Sequence, residues 1–347
     1  MSVTNSVWRN SLAAVFGCSG LKLTSSEIDF FEASKPFGFI LFSRNIKNPK
    51  QVRELIEQLR SCVGWRAPVL IDQEGGRVQR LVHPHWRLAP AMDKFGQLFL
   101  VDPEQALQAI RMNMQAIGTE LFELGIDINC APVLDIPVMG AHNVIGNRAI
   151  GPETWVVSQM AEAACQGLID LGIIPVIKHL PGHGRATVDS HEELPVVAAT
   201  ERDITDRDCQ PFQKVAKMPV AGMTAHVVYT SLDPENPATL SSKIIKSIIR
   251  KRIGFSGLLL SDDLGMKSLT GSFTNRAIQS LKAGCDIVLH CSANLLEMEQ
   301  VVAGANILSN RAVAAFERLD SYRGKPTLSV DKEEVALRVA SLLKPIA

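Results

Sequence analysis

Residues 174–191 read IPVIKHLPGHGRATVDSH. The first six form a short apolar run ending on Lys178 and His179; the remainder is broken by Pro181, Gly182 and Gly184 and closes on Asp189, Ser190 and His191. An apolar run without in–out alternation marks a strand buried on both faces, as in a parallel sheet. Polar side chains at its C-terminal end are what such a strand offers to a ligand.

The pattern recurs along the chain. LAAVF (12–16), FGFILF (37–42), PVLID (68–72), IDIN (126–129), VAGMTAH (220–226), GLLLSD (257–262) and DIVLH (286–290) join IPVIKH (174–179) to make eight runs. Helical periods lie between them. The clearest opens at Asp102-Pro103, an N-cap followed by proline in the first turn, repeats apolar residues from Leu107 to Leu124 and stops at Gly125. A second carries Val157, Met160, Ala164, Leu168 and Leu171 to Gly172, and Thr24 with Glu27 makes a capping box for a third.

Eight strands alternating with helices allow an open doubly wound sheet or a closed barrel. Polar residues decide between them, because Ser43-Arg44-Asn45, Asp72, Asn129, Lys178-His179, His226, Asp262-Asp263 and His290 close nearly every run. An open sheet gathers functional groups at one switch point, whereas a barrel brings all eight strand ends to one mouth. The expected fold is an α/β, TIM-type (β/α)8 barrel, a single domain over 1–347, with 312–347 as outer C-terminal helices. No GxGxxG or GxxxxGKS/T turn follows a strand, which excludes the usual nucleotide sites.

The 347 residues include 36 basic and 36 acidic side chains and no run of like charge, so neither nucleic acid nor a charged membrane surface is an expected partner. Seven cysteines stand widely apart with no CxxC pair, which fits a reducing cytoplasm better than a disulfide framework. SLAAVFGC (11–18) has the look of a signal core, but it is short and Arg9 is the only basic residue before it. No apolar run approaches the roughly 20 residues of a membrane span.

Three chemistries compete for the stretch at 178–191. His179 and His183 have the i, i+4 spacing of a helical zinc pair, but Pro181, Gly182 and Gly184 oppose a helix, and the one HxH, His83-Pro84-His85, lies past its strand. The glycines do not open a helix, which removes a phosphate cradle. Acid–base chemistry remains, since Asp189 and His191 face the same way in an extended loop and the carboxylate can hold the imidazole. Asp-Ser-His is also ordinary turn chemistry with solvated side chains, and the residues alone leave both readings open. The adjacent Asp262 and Asp263 end a buried strand, where unpaired carboxylates are costly; adjacent residues point to opposite faces, so one is expected in the mouth.

Taken together, GFILFSRN, LIDQEGGRVQRL, APVLDI, GNRAIG, KHLPGHGRATVDSH, MTAHVVY, LLLSDDLGM and AGCDIVLHC resemble glycoside hydrolase family 3, and within it the compact bacterial β-N-acetylglucosaminidases. The segments follow the family order across residues 37 to 291. Leu180, where the family is expected to carry phenylalanine, and Ile150 in GNRAIG depart from it as changes of packing. The resemblance implies a retaining mechanism, with Asp262 as nucleophile, His191 as general acid and base, and Asp189 as its partner. It also implies that Asp72, Arg80, Arg148, Lys178 and His179 bind sugar hydroxyls. An imidazole of pKa about 6.5 needs less perturbation to move protons near neutrality than an aspartic acid of about 3.9.

Only 5% of residues are aromatic, so a stacking platform for a polysaccharide is not expected; a pocket for one terminal sugar is. The expectation is a cytoplasmic exo-β-N-acetylglucosaminidase without metal or cofactor and with no obligate protein partner. By resemblance its substrates are N-acetylglucosaminyl muropeptides of cell-wall recycling. The alternatives are a metal-dependent barrel hydrolase and a catalytically silent sugar-binding protein.

Overall fold

The structure, a computed structural model, describes residues 7–346. The outermost positions of the expected 1–347 domain, 1–6 and 347, lie outside the described residues.

Eight parallel strands close on themselves in chain order: β1 (Leu12–Phe16), β2 (Pro36–Leu41), β3 (Val69–Ile71), β4 (Ile128–Asn129), β5 (Ile174–Leu180), β6 (Ala221–Thr224), β7 (Leu259–Asp263) and β8 (Ile287–His290). The seam is made by β1 and β8, with Ala14 opposite Val288. Every expected run contributes one strand, and the apolar stretch that imitates a signal core is β1.

Unbroken hydrophobicity arises because each strand is apolar on both faces. Val15, Ile40, Leu70, Val176, Met223, Leu260 and Leu289 pack together inside the barrel. Their neighbours Phe16, Phe39, Leu41, Ile71, Ile177 and Leu259 pack in the cluster formed with the helices. β4 is shorter than expected. Asp127, just before it, takes ion pairs from Arg60 (2.6 Å), Arg66 (2.9 Å) and Arg323 (3.4 Å) and serves as an electrostatic node.

Helix Pro103–Leu124 has its expected ends: Asp102 accepts from the Gln105 N–H at 3.0 Å, and Gly125 adopts φ +84°. The capping box at Thr24 and Glu27 is present. Helix Thr154–Ile169 runs into a final turn that Gly172 closes, as expected: Gly172 adopts φ +72° and donates its N–H to Ile169 O at 2.9 Å, and Ile173 N–H donates to Leu168 O at 3.1 Å. Helix Asn310–Asp320 sets Phe316 edge-on to Phe37 and Trp8 at centroid distances of 4.7 and 5.1 Å, at the end of the barrel where strands begin. Helix Lys332–Leu342 packs on Pro103–Leu124. Among the described residues no helix is long and apolar enough to cross a membrane, and all seven cysteines are free thiols.

Candidate active site

The C-terminal strand ends surround a cavity of about 270 Å³. Its size, at the low end for ligand pockets, suits one small molecule. Asp72, Arg80, Arg148, Lys178, His179, His191 and Asp262 all line it, and Asp189 stands behind His191.

The floor is an ordered chain of charges. Arg80 Nη2 lies 3.2 Å from Asp72, Lys178 Nζ lies 2.8 Å from Asp72 and 2.6 Å from Glu74, and Arg148 donates twice to Glu74 at 2.8 and 2.9 Å. Burial alone would drive these groups toward their neutral forms. The pairing overrides it. Despite burial, the Lys178 ammonium and Arg80 guanidinium hold Asp72 well below the usual carboxylate range, and Lys178 with Arg148 lower Glu74. Despite its own burial, Lys178 is held above its ordinary value by Asp72 and Glu74. Asp72, Glu74, Lys178 and Arg148 are therefore ionised at neutral pH, and all five groups are fixed in place.

His179, the penultimate residue of β5, is aimed by Asp135, whose Oδ2 lies 2.7 Å from Nδ1. Asp135 Oδ1 accepts from the backbone N–H of His179 (3.1 Å) and of His183 (2.6 Å). Against burial, the two histidines bring this carboxyl down to about 2.

Asp262 and Asp263 end β7, and both line the cavity, contrary to the expectation that one would be turned away. They differ in what holds them. Asp263 Oδ1 accepts the N–H groups of Gly265 (2.9 Å) and Cys291 (3.0 Å), so it braces the strand end. Among the described residues Asp262 accepts only the N–H of Asp263, at 2.8 Å. Burial raises its carboxyl, but His179 and His226 outweigh that and leave it below its ordinary value.

The segment after β5 is not helical. Its base is clamped: Val138 N–H donates to Gly184 O at 3.2 Å, and a Cβ on residue 184 would overlap the carbonyl of Ile136, so only glycine fits. At its far end His191 Nδ1 lies 2.8 Å from Asp189 Oδ1, the contact expected from the two-residue spacing. The His191 side chain is 62% exposed, so its ring edge is open to the mouth.

Not every strand-end polar group reaches the cavity. Asn129 pairs with Gln73, His226 bridges Thr239 and the Asp263 carbonyl, and His290 meets Ser292. They support the rim. Glu74, Asp135, His183 and Ser190 carry much of the local order, yet the sequence reading weighed His183 only as a zinc ligand and gave the other three no role. Glu74 and Asp135 find their partners, Arg148 and His179, far off in the chain, which leaves no spacing signal, and the bond between His183 and Ser190 belongs to a loop whose path no local pattern gives. Among the described residues no three His, Cys, Asp or Glu side chains converge as metal ligands.

Residues 30–321 match the glycosyl hydrolase family 3 N-terminal domain. The chain belongs to that family. It is a family 3 glycoside hydrolase, and the recognition made from the signature segments holds. The β-hexosaminidase of Histophilus somni is 40% identical over 280 residues, 79% of this chain and 78% of that one. That of Nitrosomonas eutropha is 38% identical over 274 residues, 78% of each. The crystal structure of NagZ from Neisseria gonorrhoeae in complex with N-trifluoroacetyl-D-glucosamine superposes with a TM-score of 0.87 at 31% identity, covering 96% of this chain and 99% of that one. This family 3 chain therefore matches about four fifths of the length of these β-hexosaminidases and nearly the whole of the Neisseria gonorrhoeae structure.

Proposed function

We propose that this family 3 enzyme is a retaining exo-β-N-acetylglucosaminidase. It removes terminal, non-reducing N-acetylglucosamine from β-linked substrates, with cytoplasmic muropeptides of cell-wall recycling as the natural class, and chain 1–347 acts as one catalytic unit. The observation that carries the reading is the meeting of Asp262 and the Asp189–His191 pair at one small, charged cavity. The N-trifluoroacetyl-D-glucosamine bound by the Neisseria gonorrhoeae relative supports the sugar.

In this reading Arg80, Asp72, Lys178, Arg148 and His179 hold the hydroxyls of the sugar, and Asp262 attacks the anomeric carbon. The C–O bond to the aglycone breaks as His191 gives its proton to the leaving oxygen. Asp189, held below its ordinary value because the His191 N–H groups outweigh its partial burial, stays ionised and stabilises the imidazolium. Water, deprotonated by the now neutral His191, then cleaves the glycosyl–Asp262 ester, so the β configuration is kept.

The test is hydrolysis of 4-nitrophenyl N-acetyl-β-D-glucosaminide followed by proton NMR, run with and without EDTA. First-formed β-N-acetylglucosamine at unchanged rate in EDTA is the expected result. First-formed α product would end the retaining reading, loss of activity in EDTA would favour a metal-dependent hydrolase, and no hydrolysis a silent sugar-binding protein.

A further inference from the structure

The Asp189–His191 contact orients the imidazole but does not decide where the pair sits above the cavity, because both residues belong to the same loop tip. From Thr187 to Glu193 the one buried residue is Ser190, between the two. Its Oγ lies 3.1 Å from His183 Nε2. His183 is itself anchored: its backbone N–H donates to Asp135 at 2.6 Å, and its ring meets that of His179 edge-on at 5.6 Å. Among the described residues its Nδ1 has no hydrogen-bond partner, and Ser190 is the only side chain hydrogen-bonded to its ring. The other side-chain tie from the tip to the barrel, Glu192 to Lys267 at 2.7 Å, joins groups 68% and 67% exposed, where an ion pair contributes little.

We propose that His183, acting through Ser190, is the positioning residue that seats His191 over the bond to be cleaved. The path is short and buried throughout: Asp135 fixes His179 on one side and His183 on the other, and His183 fixes the residue next to His191. One carboxylate thus sets both the sugar-binding histidine and the height of the proton donor. Burial, then neighbouring His179, bring His183 down to about 4, so at working pH the ring is neutral and pairs with a hydroxyl rather than an acid. The inference rests on the reading of His191 as proton donor.

The experiment is a leaving-group series of aryl and alkyl N-acetyl-β-D-glucosaminides, with log kcat/KM plotted against leaving-group pKa for the parent, Ser190→Ala, His183→Asn, Ser190→Thr and His191→Ala. With a displaced proton donor, Ser190→Ala and His183→Asn lose about tenfold or more on alkyl leaving groups and less than about threefold on dinitrophenyl, a steeper slope in the direction of His191→Ala. Ser190→Thr restores the parent slope, and N-acetylglucosamine binds all variants alike. A fold defect would lower the whole line in parallel; a parallel loss, or no loss, in both Ser190→Ala and His183→Asn overturns the inference while a steep His191→Ala line keeps the reading of His191. An unchanged slope in His191→Ala would overturn both.

Discussion

Asp262 Oδ1 accepts the backbone N–H of Asp263 at 2.8 Å, and among the described residues no other protein donor is bonded to that carboxylate. A nucleophile needs such a free oxygen, whereas Asp263 is engaged by two backbone donors. Asp262→Asn and Asp262→Ala are expected to lose at least about 10³-fold in kcat with the fold intact, since either removes the attacking group and a buried charge. A 2-fluoro or 5-fluoro sugar should label a peptide containing Asp262 in the mass spectrum. Tight inhibition by a thiazoline with no adduct would instead mean that the substrate's acetamido oxygen attacks, and high activity in Asp262→Asn would move the role to Asp263.

Removing one member of the charge chain strands its partners. Lys178→Ala leaves Asp72 and Glu74 buried without their shared ammonium, and Arg148→Ala leaves Glu74 without its two-point partner. Each is expected to weaken binding of N-acetylglucosamine about tenfold or more and to cost about 3–5 kcal/mol of stability. Titration calorimetry and urea unfolding read the two effects separately; parent-like affinity in both variants would remove these residues from sugar binding.

His183 and Asp208 should shape the acid side of the stability curve in opposite directions. Burial, then His179, bring folded His183 to about 4 from an ordinary 6.5, so the unfolded chain takes the proton first and stability is lost as pH falls from 6.5 toward 4. Burial lifts Asp208 from 3.8 to about 6 against the hydrogen bond from Arg185, so the folded chain takes that proton first and stability is gained as pH falls from 6 toward 3.8. Each effect reaches at most about 3 kcal/mol. Unfolding measured between pH 7 and 4.5 should therefore fall more gently in His183→Asn and more steeply in Asp208→Asn than in the parent. Parallel curves would show that neither group is shifted on folding.

Gly184→Ala forces a methyl group into the Ile136 carbonyl and should displace the segment that carries Asp189 and His191. The expected result is a large loss of kcat with binding of N-acetylglucosamine kept, since the charge chain lies on other elements. Parent-like kcat would mean that the segment's base does not control its tip.

The barrel was legible because its cause is local. Strands apolar on both faces print an unbroken run, and helix ends carry their own residues, such as Thr24 with Glu27 or Asp102 with Pro103. The Asp189–His191 contact was legible for the same reason, being two residues apart. What stayed hidden depends on distant partners. Nothing near Glu74 announces Arg148, nothing near Asp135 announces His179, and only the fold distinguishes braced Asp263 from free Asp262. The shared orientation of the two aspartates was misjudged because strand alternation loosens where β7 gives way to its loop, and Asp263 turns to meet the backbone of Gly265 and Cys291.

The alternating chain on the cavity floor has a consequence for encounter in solution. Arg80, Lys178 and Arg148 are three cations, and Asp72, Glu74, Asp262 and Asp263 are four anions, so with the histidines neutral the formal sum at the mouth is −1, close to balance. A site balanced in this way projects little field beyond a Debye length, about 8 Å at physiological ionic strength. A free uncharged monosaccharide such as N-acetylglucosamine therefore arrives by diffusion without steering. Its capture rate should be nearly indifferent to added salt, and discrimination between sugars falls to contacts made after arrival, against ions whose orientation was settled when the chain folded.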